Sequence, residues 1–561
     1  MLIARFQAPD RAVLRAVFLT LLILIAPNWL LTRDLADGAV ISFARAIGNS
    51  DGLFLWLSNG NWQLAIVFYK MMFALSDWSG LTYLFFVKCA LSLLLVALYF
   101  ECWRLARDVF MLSPNHAALA AIFCVASPSL YTLTNSASTV NLLCLWLVLL
   151  GHRLFWDDKK TVCFLGLLLL VISFQVNSNL VFVLALDIVF LWVFKCRRKE
   201  RLAWFIGLFM TTVCVYAVMR VLSPPQQLFV EYNQLLNPFN SDSLLRMLRA
   251  TAMFLTWGTL PLLALISVAL ISPIFKYHDA KKRIGEMQAK SYVPTILLLL
   301  FLAIAASFPY IIVGKGPPLF TPTIYGNGLT EQVLRAAYPG PIAPTWANTS
   351  GRHGLLLSVP MGLLTWFLAT WLAEKLKMRW CPLGLYALLL PLAFIWILPA
   401  YGNKLQNQWA EISLVKGFKT IQPPKAGIVE LRYKPVSSWL IWTTHANMIL
   451  REAWGYSHYL GFFYSLDTYK QDLLWQYHSQ VLNVDALQSR LQQNALALDG
   501  FPGADCYTKY EGVWPPAPLL QSMLAGWFPA LVPTADIKLV GSDCELGRKL
   551  VNPKPDKKMI L

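Results

Sequence analysis

The chain has 561 residues, of which 57% are hydrophobic, 14% aromatic and only 14% charged, with a mean hydropathy of +0.53. Soluble domains carry about 25% charged residues, so the shortfall excludes an ordinary soluble enzyme, a disordered chain and a disulfide-rich secreted scaffold. The net charge of +17 does not point to nucleic acid, because the basic residues form short clusters between apolar blocks, as in Lys195–Lys199 and Lys281–Arg283. Clusters of that kind orient helices in a membrane.

Apolar blocks of about 16 to 22 residues match the roughly 30 Å hydrocarbon core of a bilayer when helical. Eleven are predicted: 16–31, 82–100, 117–135, 140–156, 162–176, 179–195, 204–222, 254–275, 294–314, 354–373 and 383–400. The first follows Arg5, Arg11 and Arg15 and has no small-residue cleavage site after it, so it reads as an uncleaved span rather than a signal peptide. With a cytoplasmic N-terminus, every connection on that side is basic. They hold Arg104 and Arg107, then Arg153, Lys159 and Lys160, then Lys195–Arg201, Lys276–Lys290, and finally Lys375, Lys377 and Arg379. That agreement predicts the orientation.

The opposite side carries three long loops, 32–81, 223–253 and 315–353, beside tight turns at 136–139 and 177–178. Long loops confined to one face usually have work to do. The first holds two half-apolar stretches, Gly38–Ile47 and Asn61–Leu75. In the second stretch Trp62, Ala65, Ile66, Tyr69, Met72 and Phe73 follow helical spacing, which predicts a helix lying in the membrane interface; a twelfth span is the alternative. Trp56, Trp62, Trp78, Trp257 and Trp346 fall along this boundary, as belt residues or as stacking surfaces for sugars.

Residues 401–561 change character to mixed polarity. Ala426–Tyr433 and Asp536–Ser542 read as strands and Asp485–Leu498 as an amphipathic helix, which together predict a small α/β domain. Eight of the ten cysteines lie in spans or on the basic side. Cys506 and Cys544 alone lie in the C-terminal domain, the number needed for one disulfide. The expected fold is therefore an all-α polytopic bundle of about eleven transmembrane helices (residues 1–400) with a small exterior α/β C-terminal domain (401–561). No zinc spacing, phosphate-binding glycine loop, HExxH or GxSxG occurs.

Candidate chemistry sits in the loops. Asp34 and Asp37 follow the first span, three residues apart, so a helix there puts them on one face. From that face they can act as base and partner, or ligate one divalent cation, Mg or Mn; the alternative is solvated carboxylates at a helix N-terminus. Arg352-His353 ends the third loop, and Lys315 begins it. A guanidinium grips phosphate oxygens in pairs, which makes these three a candidate lipid-phosphate site, the alternative being cations that anchor helix ends. Arg246 and Arg249, near Asp242 and Glu231, either join the same cavity or coat a solvated helix. Lys88 and Asp187 lie at depths within about 3 Å of each other in their spans, and an unpaired intramembrane charge is costly, so a structural Lys88–Asp187 ion pair is expected.

A first span ending in an acidic loop, the helix Asn61–Leu75 followed by Trp78 and a new span, many further spans and an exterior C-terminal domain together resemble the GT-C superfamily of polytopic glycosyltransferases. Phe308–Lys315 with the later Arg352-His353 resembles loops of bacterial members. The first loop departs from the family's adjacent acidic pair, since Leu35 follows Asp34. The resemblance implies a bacterial inner-membrane enzyme that moves a sugar from a polyprenyl-phosphate donor to an exterior glycan, lipid or protein acceptor. Asp34 or Asp37 would be the base, and Arg352, His353 and Lys315 the cations for the phosphate. It also implies that a carboxylate and Arg352 flank one sugar, within roughly 10–15 Å. A flippase or transporter of a lipid-linked glycan and a non-catalytic envelope assembly protein are the rival readings.

Overall fold

The computed structural model describes residues 8–544 apart from several connections, the longest being 128–135, 194–202, 222–234, 275–291, 316–353, 435–442 and 464–505; residues 204–221 are described only in part. The chain opens with α1 (Arg11–Leu30), then three short helices α2 (Asp37–Ala46), α3 (Ser50–Asn59) and α4 (Gln63–Ser79). There follow α5 (Tyr83–Arg104), α6 (Pro114–Val125), α7 (Thr139–Phe155), α8 (Lys160–Ser173) and α9 (Asn179–Val193). Next come α10 (Ser241–Trp257), α11 (Thr259–Ile271), α12 (Tyr292–Ile311), α13 (Ser358–Lys375) and α14 (Pro382–Lys419). Among the described residues, four helical stretches are long and apolar enough to cross a membrane (Arg11–Leu30, Tyr83–Val109, Ser241–Ile271, Tyr292–Ile311), and five further apolar helices are shorter. This is a multi-pass helical membrane fold.

The centre of the bundle is α6. Its alanines 117, 118, 120 and 121 are all buried, and small side chains let neighbouring backbones approach closely. A Cβ at Gly362 of α13 would lie 2.4 Å from the Cys124 backbone nitrogen, so α13 can lie against α6 only with glycine there.

The predicted helix in the first loop is α4, whose Ala65, Tyr69, Met72 and Phe73 are buried against α3 and α5. The second loop is shorter than expected. Helix α10 already begins at Ser241 and carries Arg246 and Arg249, because its apolar positions continue the helical spacing backwards from the span.

The boundary expected at residue 401 falls inside a single helix. Helix α14 has 38 residues, about 57 Å at 1.5 Å per residue, and it continues through Pro399 and Gly402, where the apolar run ends. Its second half forms the floor of the C-terminal unit, with Trp409, Leu414 and Phe418 in the same core as Val429, Leu431 and Tyr433. That unit is a four-stranded sheet in the order β2-β1-β3-β4, built from β1 (Gly427–Lys434), β2 (Tyr459–Phe463), β3 (Cys506–Val513) and β4 (Asp536–Asp543). β1 pairs in parallel with β2 and β3, and β4 is antiparallel to β3. Helix α15 (Thr443–Trp454) crosses from β1 to β2, and α16 (Leu519–Leu524) lies between β3 and β4. The strands expected at 426–433 and 536–542 are thus β1 and β4, while the helix expected at 485–498 lies outside the described residues. Cys544 is disulfide-bonded, and Cys506 stands one position beyond the Tyr507–Asp543 pair of β3 and β4, opposite it in register.

The expected Lys88–Asp187 pair does not form. Asp187 on α9 takes the Trp156 indole N–H at 3.2 Å and lies 3.4 Å from His152 Nε2 on α7, while Lys88 on α5 donates to the Leu31 carbonyl. Equal depth sets the height of two charges and leaves open which way each helix faces.

Candidate functional site

Beyond α1 the chain runs through Leu31, Thr32, Arg33 and Asp34 before α2, and α14 holds that link in place. Lys404, Gln408 and Glu411 recur at i, i+4 and i+7, which puts them on one helix face, and all three are buried. Gln408 Oε1 accepts from the Thr32 N–H (2.6 Å), the Thr32 hydroxyl (3.2 Å) and the Arg33 N–H (3.2 Å). Its Nε2 donates to the Leu30 carbonyl at 3.2 Å, satisfying one of the acceptors left open at a helix C-terminus. Arg33 donates to Glu411 at 2.5 Å and to Glu452 of α15 at 2.7 Å. Over this link lies Gly526, where a Cβ would come 2.6 Å from the Thr32 hydroxyl.

The clamp presents Asp34, only 2% exposed. Its Oδ1 accepts the Ser136 N–H at 3.1 Å and its Oδ2 the Tyr83 hydroxyl at 3.3 Å. Tyr83 shares a 2.5 Å hydrogen bond with Ser42, and the Tyr69 hydroxyl holds the Ser136 carbonyl at 2.8 Å. Burial pushes the Asp34 carboxyl above the usual carboxylate range, against the opposing pull of the Ser136 hydrogen bonding, the Lys88 charge and Tyr83. Lys404, beyond the apolar part of α14, is pushed by burial down to about 7, while the Asp34 charge acts the other way. Glu411 is raised by burial in spite of Arg33. The site therefore holds a buried carboxyl under the influence of two lysines, from α5 and α14, with Arg33 neutralised by its own glutamates.

Asp34 opens onto a cavity of about 300 Å³. Thr32, Arg33, Asp34, Ser42 and Leu84 form one wall, and Ile412, Met448, Glu452, Gly526 and Pro529 the other. Both halves of the chain are needed to enclose it. Lys88 stands one helical turn from Leu84, on the same face of α5. Such an arrangement can take a proton from a hydroxyl at Asp34 and neutralise an anion nearby. Among the described residues no three His, Cys, Asp or Glu side chains converge as metal ligands, and the charges acting on Asp34 are positive.

Of the residues singled out from the sequence, Asp34 is in the cavity wall. Asp37 begins α2, and its side chain lies outside the described residues, as do Arg352 and His353. Lys315 follows α12, where Gly314 abuts Leu236 and Arg246, and it is absent from the cavity lining. Sequence reasoning missed Arg33, Tyr83, Lys404, Gln408, Glu411 and Glu452, and assigned Lys88 a different partner. A signal existed in the spacing of Lys404, Gln408 and Glu411, which marks one polar stripe on a helix.

No protein-family model matches the chain, and no curated protein matches it. Among solved structures it is similar to two crystal structures of ArnT from Cupriavidus metallidurans. The one bound to undecaprenyl phosphate is 12% identical over 90% of this chain and 92% of that chain, with a TM-score of 0.40. The apo structure is 12% identical over 96% and 99%, with a TM-score of 0.32. Scores this low assign no residue and no activity to this chain.

Proposed function

We propose that the chain is a membrane glycosyltransferase that moves a sugar from a polyprenyl-phosphate donor to an exterior glycan, lipid or protein acceptor, with Asp34 as the base. The observation that carries this reading is the buried Asp34 carboxyl at the wall of a cavity, with Lys88 and Lys404 acting on its charge. The acceptor hydroxyl gives its proton to the Asp34 carboxylate while its oxygen bonds to the anomeric carbon. The bond from that carbon to the phosphate oxygen breaks, and the electron pair leaves on the polyprenyl phosphate, whose charge the lysines offset. A carboxyl raised by burial is a stronger base than a solvated one, which suits proton abstraction near neutral pH. Arg352, His353 and Lys315 remain candidates for the phosphate, and Asp37 for a supporting carboxylate.

The basic connections support a cytoplasmic N-terminus, with the cavity and its C-terminal unit on the exterior side of a bacterial inner membrane. The test is Asp34→Asn in proteoliposomes supplied with a panel of undecaprenyl-phosphate pentoses and hexoses and membrane-extracted acceptors. Release of undecaprenyl phosphate should fall by about 10²–10⁴-fold while the protein still binds undecaprenyl phosphate by native mass spectrometry. Unchanged release would end the assignment of Asp34, and donor that crosses the bilayer chemically intact would favour a flippase.

A further inference from the structure

The C-terminal unit contains no charged residue between Glu511 and Asp536, an unusual stretch for a segment expected in water. The segment is rigidly seated on one side. Ser522, Ala525 and Val532 are buried, and α14 holds its backbone through Trp409 to the Pro515 carbonyl (3.2 Å), Ser413 to Pro533 (2.7 Å) and Lys416 to Val532 (2.5 Å). The other side is apolar and, among the described residues, uncovered. Leu520 is 71% exposed, Trp527 57% and Phe528 58%, with Leu524 and Leu531 beside them.

The height of this face follows from one contact. The Trp527 indole donates to the Trp29 carbonyl at 3.0 Å, in the last turn of α1. At 1.5 Å per residue, the 20 residues of α1 cover about 30 Å, the thickness of the hydrocarbon core, so Trp29 marks one of its boundaries. Exposed Phe85 lies at the same level, since its ring packs on Trp29 with centroids 5.7 Å apart.

We infer that residues 520–531 are a monotopic membrane anchor, inserted among the acyl chains of the leaflet at the outer end of α1. Such insertion suits an uncharged apolar face with tryptophan at the interface, its flanks held by α14 and its own turns closed by the Ser522, Trp527, Phe528 and Leu531 N–H groups on the Pro518, Leu524, Leu524 and Phe528 carbonyls. Because Gly526 and Pro529 of the same segment line the cavity, the anchor brings the lip of the Asp34 cavity to the lipid. The inference stands on α1 crossing the membrane and not on sugar transfer, so inactivity of the protein would leave it untouched.

The test uses the full chain in phosphatidylethanolamine–phosphatidylglycerol vesicles containing, in parallel samples, a phospholipid with a diazirine near the glycerol end or at the methyl end of its acyl chain, to reach 520–531 at the boundary and the middle of α1 respectively. The photogenerated carbene inserts into C–H bonds it touches, and peptides are mapped by mass spectrometry. Adducts should appear on 520–531 at a yield comparable to those on Phe18, Leu19, Leu22 and Ile23, the exposed face of α1. Phe528→Glu with Leu531→Glu should lower the yield on this segment by about tenfold and leave the α1 adducts unchanged. Lipid adducts on α1 with none on 520–531, and labelling of that segment by a water-soluble carbene instead, would overturn the inference and leave the face to water or a protein partner.

Discussion

Two buried charge clusters sit near opposite ends of α7 and are built differently. Near its start, about 20 Å from His152 along the helix, the Ser136 N–H meets Asp34. Near its end, His152 and Trp156 meet Asp187, with the Trp156 and Phe190 rings stacked beside them at 5.9 Å. Glu101 there takes Arg153 at 2.9 and 3.3 Å and Arg104 at 3.0 Å. The partners of this second cluster come from adjoining helices near one another in sequence and lock them together. The partners of Asp34 and Arg33 come from α5, α14 and α15, up to 419 positions away, and they enclose a cavity. A charge paired within one helical neighbourhood serves packing; a charge held where distant segments meet can serve a substrate.

The sharpest way to break this contrast is to remove one partner on each side. Arg33→Ala leaves the fully buried Glu411 without its counter-ion, at a cost of about 3–5 kcal/mol, and the molecules that stay folded should also lose transfer because the link to Asp34 is released. Asp187→Asn should destabilise the bundle with no loss of transfer per folded molecule. Thermal unfolding followed by size-exclusion, with activity normalised to the folded fraction, separates the two; equal loss of specific activity in both variants would erase the distinction.

A third buried group, outside both clusters, gives a control through pH. His445 on α15 has neither ring nitrogen hydrogen-bonded among the described residues, and burial lowers its pKa from 6.5 to about 4. Above pH 6.5 it is neutral folded or unfolded and contributes no pH dependence. As pH falls from 6.5 towards 4 only the unfolded chain gains the proton, so stability is lost over that window, by about 3 kcal/mol at its lower end. Denaturant titrations across this range should show that slope, and His445→Leu should remove it; a slope that persists would assign the acid sensitivity to another group.

The smallest effect concerns Lys88. Lys88→Gln should weaken undecaprenyl phosphate binding by about tenfold or more, the range of a hydrogen bond to a charged group, whereas Arg153→Gln at the other end should not. Native mass spectrometry titrations of both variants would show it, and equal affinities would remove Lys88 from the phosphate's surroundings.

Much of this architecture can be read from the sequence. The helices follow from apolar runs matched to a bilayer, α4 from its 3.6-residue spacing, and β1 and β4 from apolar strands bounded by turns, because each signal is local. Asp34 could be singled out because a carboxylate directly after a span is rare. Its surroundings could not. Lys404, Gln408 and Glu411 form a polar stripe whose partner is chosen by how α14 packs beside the end of α1, and a boundary drawn at residue 401 cut that helix from the bundle it belongs to.

What the sequence determined by itself is therefore which long apolar segments are helices and where charge is scarce, since burial in lipid acts on each segment separately. Only the tertiary structure decided which charges meet. Depth placed Lys88 level with Asp187, yet α5 turns Lys88 towards Leu31 and Asp34 while α9 turns Asp187 towards α7. The direction a helix face points is set by the packing of its neighbours, and no single segment contains that information.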